Sequence, residues 1–500
     1  MPKSHQLQPL KALWLALLIG MTGTAYANEH QSSERIDFST PLPTLDSLEH
    51  IQEKEFALPK FERFSTDGGI PVIFTRLDGL PIVDIGVDFL TGSAFDEQVR
   101  ADAFGVANMT ANLLTKGAGE LEEEAFLLAK DRLGIELGAG ATKDTLSVSL
   151  RSLNEDKTLH AALNLLQKML SQPAFATQTL EREKAELISS LKQHEQNPSY
   201  LANRAYQQAL YQNHPYAMLT TGDIQSVQTL SIDDVRRFRD KFLVAQNAVI
   251  TITGNLSQAD AKTIANQIGS SLPNGQKAQA LPAPTKAAAQ HIHVPHDSTQ
   301  TSIIMGHLAP KVAQTPAEFL QKTHFALANT ALAGGSFNAR LMDEIREKRG
   351  YTYGIYGGSL AMRAAGHYQI SFSTATSQAA DAIKATRAVV DDALANGISK
   401  DELRLVANQH TYRHPMSFAS NASIHAAATT LNRHNLPDAY ITDETDRIKQ
   451  ASLDDVNDAL RQTINPDNFI IVTVGQDKPN LSDIIKADIV KADKANGDSQ

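Results

Sequence analysis

The stretch 231-SIDDVRRFRDKFLVAQNAVITITG-254 returns without a gap as 452-SLDDVNDALRQTINPDNFIIVTVG-475. Each copy opens on a serine and two aspartates able to cap a helix. It then runs through that helix, turns at an asparagine and ends in a β-branched strand closed by glycine. Chance rarely preserves both residue identities and element order, so the chain reads as a duplication with halves at 58–272 and 291–478. Within the first half, 70-IPVIFTRL-77 and 82-IVDIGVDFL-90 alternate as strands do, and helical periodicity follows Ala101. The segment 140-GATKDTLSVSLRSL-153 reads as a further strand and 155-EDKTLHAALNLLQKML-170 as a helix. A second helix over Thr179–His194 ends at 197-NP-198. Strands mixed with long helices in both halves predict an α+β fold, two homologous domains that each pack helices on one face of a mixed β-sheet.

Between the halves, 273-PNGQKAQALPAPTKAAAQ-290 has no hydrophobic period and reads as an extended linker, and the polar tail 479–500 is expected to fray. At 500 residues the chain is too long for one ordinary core, which agrees with two domains. A net charge of -10 with no compensating basic block argues against nucleic acid or an anionic membrane as the main partner. There is no cysteine, which excludes disulfides, thiolate metal sites and a cysteine nucleophile together. Lys3 and Lys11 precede the apolar run Ala12–Met21, and 25-AYA-27 offers the small residues a signal peptidase reads. Residues 1–27 are therefore expected to be a signal peptide, followed by a polar N-terminal extension over 28–57. The apolar run is short for a membrane span, so export without membrane anchoring is expected, to the periplasm if the source is Gram-negative.

One helix-like stretch, 105-GVANMTANLLTKGAG-119, carries Asn108 and Asn112 four residues apart, on one face. That is where two metal ligands would sit, although two amides satisfied by backbone or water are the more ordinary reading. The surrounding residues decide. In order and spacing, 92-GSAFDE-97, 105-GVANMTANLLTKG-117, 181-EREKAELISSLKQHEQNP-198, 214-HPY-216 and Gly222 resemble the N-terminal half of M16 peptidases. This is the group of insulin-degrading enzyme, pitrilysin and the mitochondrial processing peptidase. The segment 334-GGSFNARLMDEIREKRGYTYG-354 resembles the second half of the same family.

The resemblance implies two M16-type metallopeptidase-like domains, the first with a zinc site built on an inverted His-x-x-Glu-His motif. Two histidines would hold Zn²⁺, the glutamate would activate a water, and a second helix would add a carboxylate. Laid on this sequence, those positions are Asn108, Ala111, Asn112 and, counting back from Pro198, Ser190. All four ligands or bases are missing. Structural zinc sites bind with roughly 10–16 kcal/mol, supplied by imidazole, thiolate or carboxylate, and two amides with a serine cannot approach that. Loss of the general base alone costs about 10²–10⁴ in rate. The expectation is that this chain binds no metal and hydrolyses no peptide by itself.

The resemblance also implies what is kept. In active relatives an Arg and a Tyr seven residues apart bind the substrate backbone and stabilise the oxyanion, and Arg346 and Tyr353 stand at those positions. Gly334, Gly335 and Ser336 could admit a substrate backbone closely, though a turn or helix start explains them equally well. Taken without the family, Arg346 lies in the charged run Asp343–Arg349, ordinarily a solvated helix face, and Tyr353 would be an ordinary sheet residue. Two-chain members of the family place zinc on one subunit and the Arg/Tyr pair on the other. The chain thus resembles the non-zinc subunit of a heterodimeric zinc endopeptidase that degrades unfolded peptides, its partner a zinc-competent M16 paralogue. A peptide-binding or scaffold protein without proteolytic role is the alternative, and a peptidase acting alone is a third possibility.

Replacement sites are not evident in the sequence. His291 and His293 share one face of a predicted strand, and His410 and His414 are spaced as on a helix, but neither pair has an obvious carboxylate partner. The 92-GS-93 and 335-GS-336 pairs lack the G-x-S-x-G nucleophile elbow.

Overall fold

In the computed structural model, residues 57–484 are described. The expected signal peptide, nearly all of the N-terminal extension and most of the polar tail lie outside them.

The two copies of the repeat occupy the same slot in two sheets. The first sheet has the order β1-β2-β6-β3-β5-β4, formed by β1 (Glu62–Ser65), β2 (Pro71–Arg76), β3 (Ile82–Phe89), β4 (Glu136–Ala141), β5 (Leu146–Leu153) and β6 (Ala248–Gly254). The second runs β7-β11-β8-β10-β9, formed by β7 (Gln290–Pro295), β8 (Gln300–Ala309), β9 (Ile355–Leu360), β10 (Gly366–Ala375) and β11 (Ile470–Gly475). In each, the repeat's strand lies between one parallel and one antiparallel neighbour: β6 between β2 and β3, β11 between β7 and β8. The helices before them begin as the serines predict. Ser231 Oγ accepts the Asp234 N–H at the head of the Ile232–Phe242 helix, and Ser452 Oγ accepts the Asp455 N–H before Leu453–Thr463.

Both faces of both sheets are covered, which adds to the expected one-sided packing. On β3 the odd-numbered Val83, Ile85, Val87 and Phe89 join the hydrophobic core of the first half. The alternate face carries Asp84, Gly86 and Asp88, and it meets a helix from the other half, Asn421–His434, which packs on β2, β3 and β6. There Arg433 pairs with Asp88 at 2.6 Å, Asn432 Nδ2 donates to the Ile250 carbonyl, and His425 sits over Gly86. Reciprocally, the first half's Pro198–Tyr211 helix packs on β8 and β11 of the second sheet, where Tyr206 donates its hydroxyl to the Tyr368 carbonyl at 3.0 Å. The two helices are exchanged, so neither half encloses its own sheet.

Three details differ from the reading of the sequence. The 140–153 segment is the turn and second arm of a hairpin, because β4 ends at Ala141 and Thr142 N donates to the Thr145 carbonyl at 2.8 Å before β5 begins. The first arm, 136-ELGAGA-141, is an edge strand of low β-propensity that alternation does not reveal. Pro198 opens a helix as well as ending one, with Asn197 capping the Ser199 N–H. The linker is extended as expected, yet tied down: Gly275 and Ala278 donate their N–H groups to Gln246 and Asn247, and Ala287 is buried.

Candidate functional site

The Val106–Leu114 helix starts after Gly105, whose φ of 92° is a left-handed conformation suited to glycine. Gly105 and Ala107 donate their N–H groups to the buried Asp96 carboxylate at 2.7 and 3.0 Å, which caps the helix. Burial pushes the Asp96 carboxyl well up from its ordinary range, against the pull of those two bonds. Of the helix's residues only Asn108 and Asn112 are not buried, so the two amides are its one open stripe. Ala111 is packed in the core.

Asn112 does not face a metal-binding set. Its Nδ2 donates to Glu183 Oε2 at 2.6 Å, across to the Thr177–His194 helix. The other oxygen of Glu183 takes Lys116 Nζ and Arg182 Nη2, each at 2.9 Å. Glu123 closes the ring, 3.3 Å from Lys116 and 2.7 Å from Arg182. Burial raises the Glu183 pKa, but the bonds from Lys116, Arg182 and Asn112 outweigh it and hold the carboxyl below its ordinary value. Burial likewise pushes Lys116 down, and its two carboxylate partners lift it above the usual lysine value. Two helices that could share a cation are thus joined by cationic side chains and an amide.

Ser190, the expected ligand position, is half-buried on that same helix. The carboxylate that reaches Asn112 is Glu183, seven residues and so about two turns earlier on the same face. Sequence reasoning missed it. The available signal was the i, i+7 relation of an acid to Ser190 in 181-EREKAELISS-190. The residues do not fit zinc: the amides are neutral, and both oxygens of Glu183 are engaged by donors. Among the described residues, no three or more His, Cys, Asp or Glu side chains converge as a metal site requires.

In the second half, Arg346 lies in Met342–Lys348, which is wound as a π-helix, an uncommon geometry. Gly350, with φ of 65°, ends it and donates its N–H to the Arg346 carbonyl. The charged run behaves partly as a solvated face, with Lys348–Asp343 and Arg349–Glu344 pairs at 2.7 Å. Arg346 itself is 3.3 Å from Glu347 through Nε, and its guanidinium carbon lies 4.7 Å from the centre of the Phe337 ring. Tyr353 stands in the loop before β9, not in the strand as expected, and is 91% exposed. Nothing bonds the Arg346 and Tyr353 side chains to each other among the described residues. Gly334 caps the Pro316–Ala333 helix, and Gly335 has φ of 82° with the Tyr356 ring 2.9 Å from where a Cβ would be, so both glycines have intrachain reasons. Ser336 lines a shallow cavity with Thr330, Glu402 and Leu405.

The histidine pairs converge on hydroxyls. His291 Nε2 and His293 Nδ1 both lie within 3.0 Å of Thr473 Oγ1, and burial holds His291 down to about 4. His410 meets Thr330 at 2.9 Å and His414 meets Thr445 at 3.2 Å.

Residues 72–223 match the family model described as Insulinase (Peptidase family M16), and residues 229–409 match Peptidase M16 inactive domain. The chain is 25% identical over 413 residues to "Non-peptidase homolog YmxG" of Helicobacter pylori, covering 81% of this chain and 92% of that protein. It is 21% identical to "Uncharacterized zinc protease YmxG" of Bacillus subtilis, covering 81% of this chain and 96% of that one. The crystal structure of a peptidase M16 inactive domain from Pseudomonas fluorescens superposes with a TM-score of 0.79 at 31% identity, covering 84% of this chain and 98% of that chain.

Proposed function

The chain belongs to the M16, insulinase-type, peptidase family, and from that premise we propose that it is the exported non-zinc subunit of a two-chain zinc endopeptidase acting on unfolded peptides. The observation that carries this reading is the contrast between the two halves. Where the family holds metal, Asn112 is bonded to a Glu183 already neutralised by Lys116 and Arg182. Where the family holds its substrate donors, Arg346 keeps both Nη groups without a partner among the described residues, and the Tyr353 phenol is open to solvent.

In this reading the metal chemistry belongs to a zinc-competent paralogue, and this chain contributes hydrogen-bond donors. Arg346 and Tyr353 donate to the peptide carbonyl oxygen as negative charge builds on it, a planar charged donor and a directional neutral one. The peptide itself is held as an extended strand by main-chain bonds, which read little sequence. A scaffold or peptide-binding protein without a proteolytic partner would share the closed metal site and lack the dependence on Arg346.

The test is reconstitution with a zinc-competent paralogue. Arg346→Ala and Tyr353→Phe should each lower turnover of the pair about 10²–10³-fold, with assembly unchanged by size-exclusion chromatography. Parental turnover in both variants would defeat the assignment.

A further inference from the structure

An arginine side chain is long and has many rotamers, and a donor that must be ordered by each substrate is a poor one. One residue removes that freedom. We propose that Phe337 is a positioning residue, an aromatic bed that fixes the plane of the Arg346 guanidinium and leaves its outer edge free for a peptide carbonyl. This rests on the reading of Arg346 as a substrate donor.

The geometry divides the guanidinium into used and unused parts. The guanidinium carbon lies 4.7 Å over the centre of the Phe337 ring, within cation–π range. Nε is ion-paired with Glu347 at 3.3 Å. The two Nη groups, the fork that recognises oxygen acceptors bidentately, have no partner among the described residues. A phenyl ring holds a cation through its π-face and offers no oxygen or nitrogen acceptor, so the contact restrains the group without replacing the carbonyl its fork would bind.

Both partners are held from behind. Phe337 is 64% exposed, so no core fixes it, and the loop does so instead. Gly335 is left-handed and the Tyr356 ring fills the space a side chain there would need, while Ala339 N–H donates to the Ser336 carbonyl at 3.0 Å, bracketing the phenylalanine in a tight turn. Arg346 is carried by the π-helix, whose Met342 and Ile345 are buried in the second core. The same loop that the sequence offered as a backbone contact thereby acquires a second role, through its aromatic residue.

Phenylglyoxal labelling of Arg346 in the isolated full chain, read by mass spectrometry of the peptide, tests the bed directly. Phe337→Ala and Phe337→Leu should raise the labelling rate about 2–5-fold, and Phe337→Tyr should keep the parental rate, because phenol restores the π-face and leucine only the bulk. Since Phe337 is exposed, all three variants should keep the parental melting temperature. In the reconstituted pair, Ala and Leu should lower kcat by a similar factor with KM little changed, and Tyr should rescue it. Parental labelling in Phe337→Ala, or equal behaviour of Leu and Tyr, would overturn the proposal. If Arg346→Ala lowers turnover while Phe337→Ala does not, the bed fails and the subunit reading survives. Arg346→Ala without effect removes the bed's link to turnover, and if Tyr353→Phe is also without effect the subunit reading falls with it.

Discussion

Glu183 is the residue on which the first-half site turns, because it gathers Asn112, Lys116 and Arg182 onto one carboxylate. Glu183→Gln leaves two cationic groups short of a partner in a partly buried setting, and should cost about 1–3 kcal/mol at pH 7. The pH dependence has a definite sign. The folded carboxyl titrates below its ordinary value, so its contribution is fully present above about pH 4.5 and is lost as pH falls through the folded pKa. Urea unfolding at several pH values should therefore separate parent from variant at neutral pH and bring them together as the pH falls through the folded pKa of Glu183. Equal stability at pH 7 would remove the carboxylate from its place at the centre of the network. Asn108, Ala111 and Asn112 were legible as substitutions because a motif makes absences visible. Glu183 was not read, because its i, i+7 spacing from Ser190 places an acid on the right face of the helix but does not say which helix that face meets.

At the scale of elements, strands and capped helices were legible wherever a period or a serine cap announced them, as in Ile232–Phe242 and Leu453–Thr463. The π-wound segment and the β4 edge strand were hidden, the first because periodicity does not distinguish a widened helix, the second because glycine and alanine carry no alternation. The exchanged helices sharpen this into a prediction about two glycines. A Cβ at Gly306 would collide with the Tyr368 carbonyl oxygen and the Tyr206 hydroxyl, and a backbone oxygen in a sheet cannot yield. A Cβ at Gly86 would sit 3.2 Å from His425 Nε2, the end of a side chain that can rotate slightly. Gly306→Ala should destabilise by about 3 kcal/mol and Gly86→Ala by less than about 1.5 kcal/mol, by denaturant midpoint at constant slope. The reverse order would mean that the helices do not press on the sheets as described.

For the whole molecule, the repeat at 231–254 and 452–475 announced duplication and two mixed sheets, and the structure places both copies in equivalent slots. What the repeat could not announce is that each half lends a helix to the other, since Asp84, Gly86 and Asp88 make the second face of β3 read as an open polar face although the structure buries it under a helix. The same division of labour runs through the account of function. One half of the fold has an ion-pair network around Glu183, and the other half presents the exposed Tyr353 phenol and an Arg346 guanidinium with no hydrogen-bond partner among the described residues. Elemental analysis of the purified, partner-free chain measures that claim most directly. The account predicts far less than one zinc per chain after exposure to equimolar Zn²⁺ and desalting, with no cleavage of unstructured peptides. One tightly retained zinc per chain, lost on replacing Asn108, Asn112 and Glu183, would contradict it.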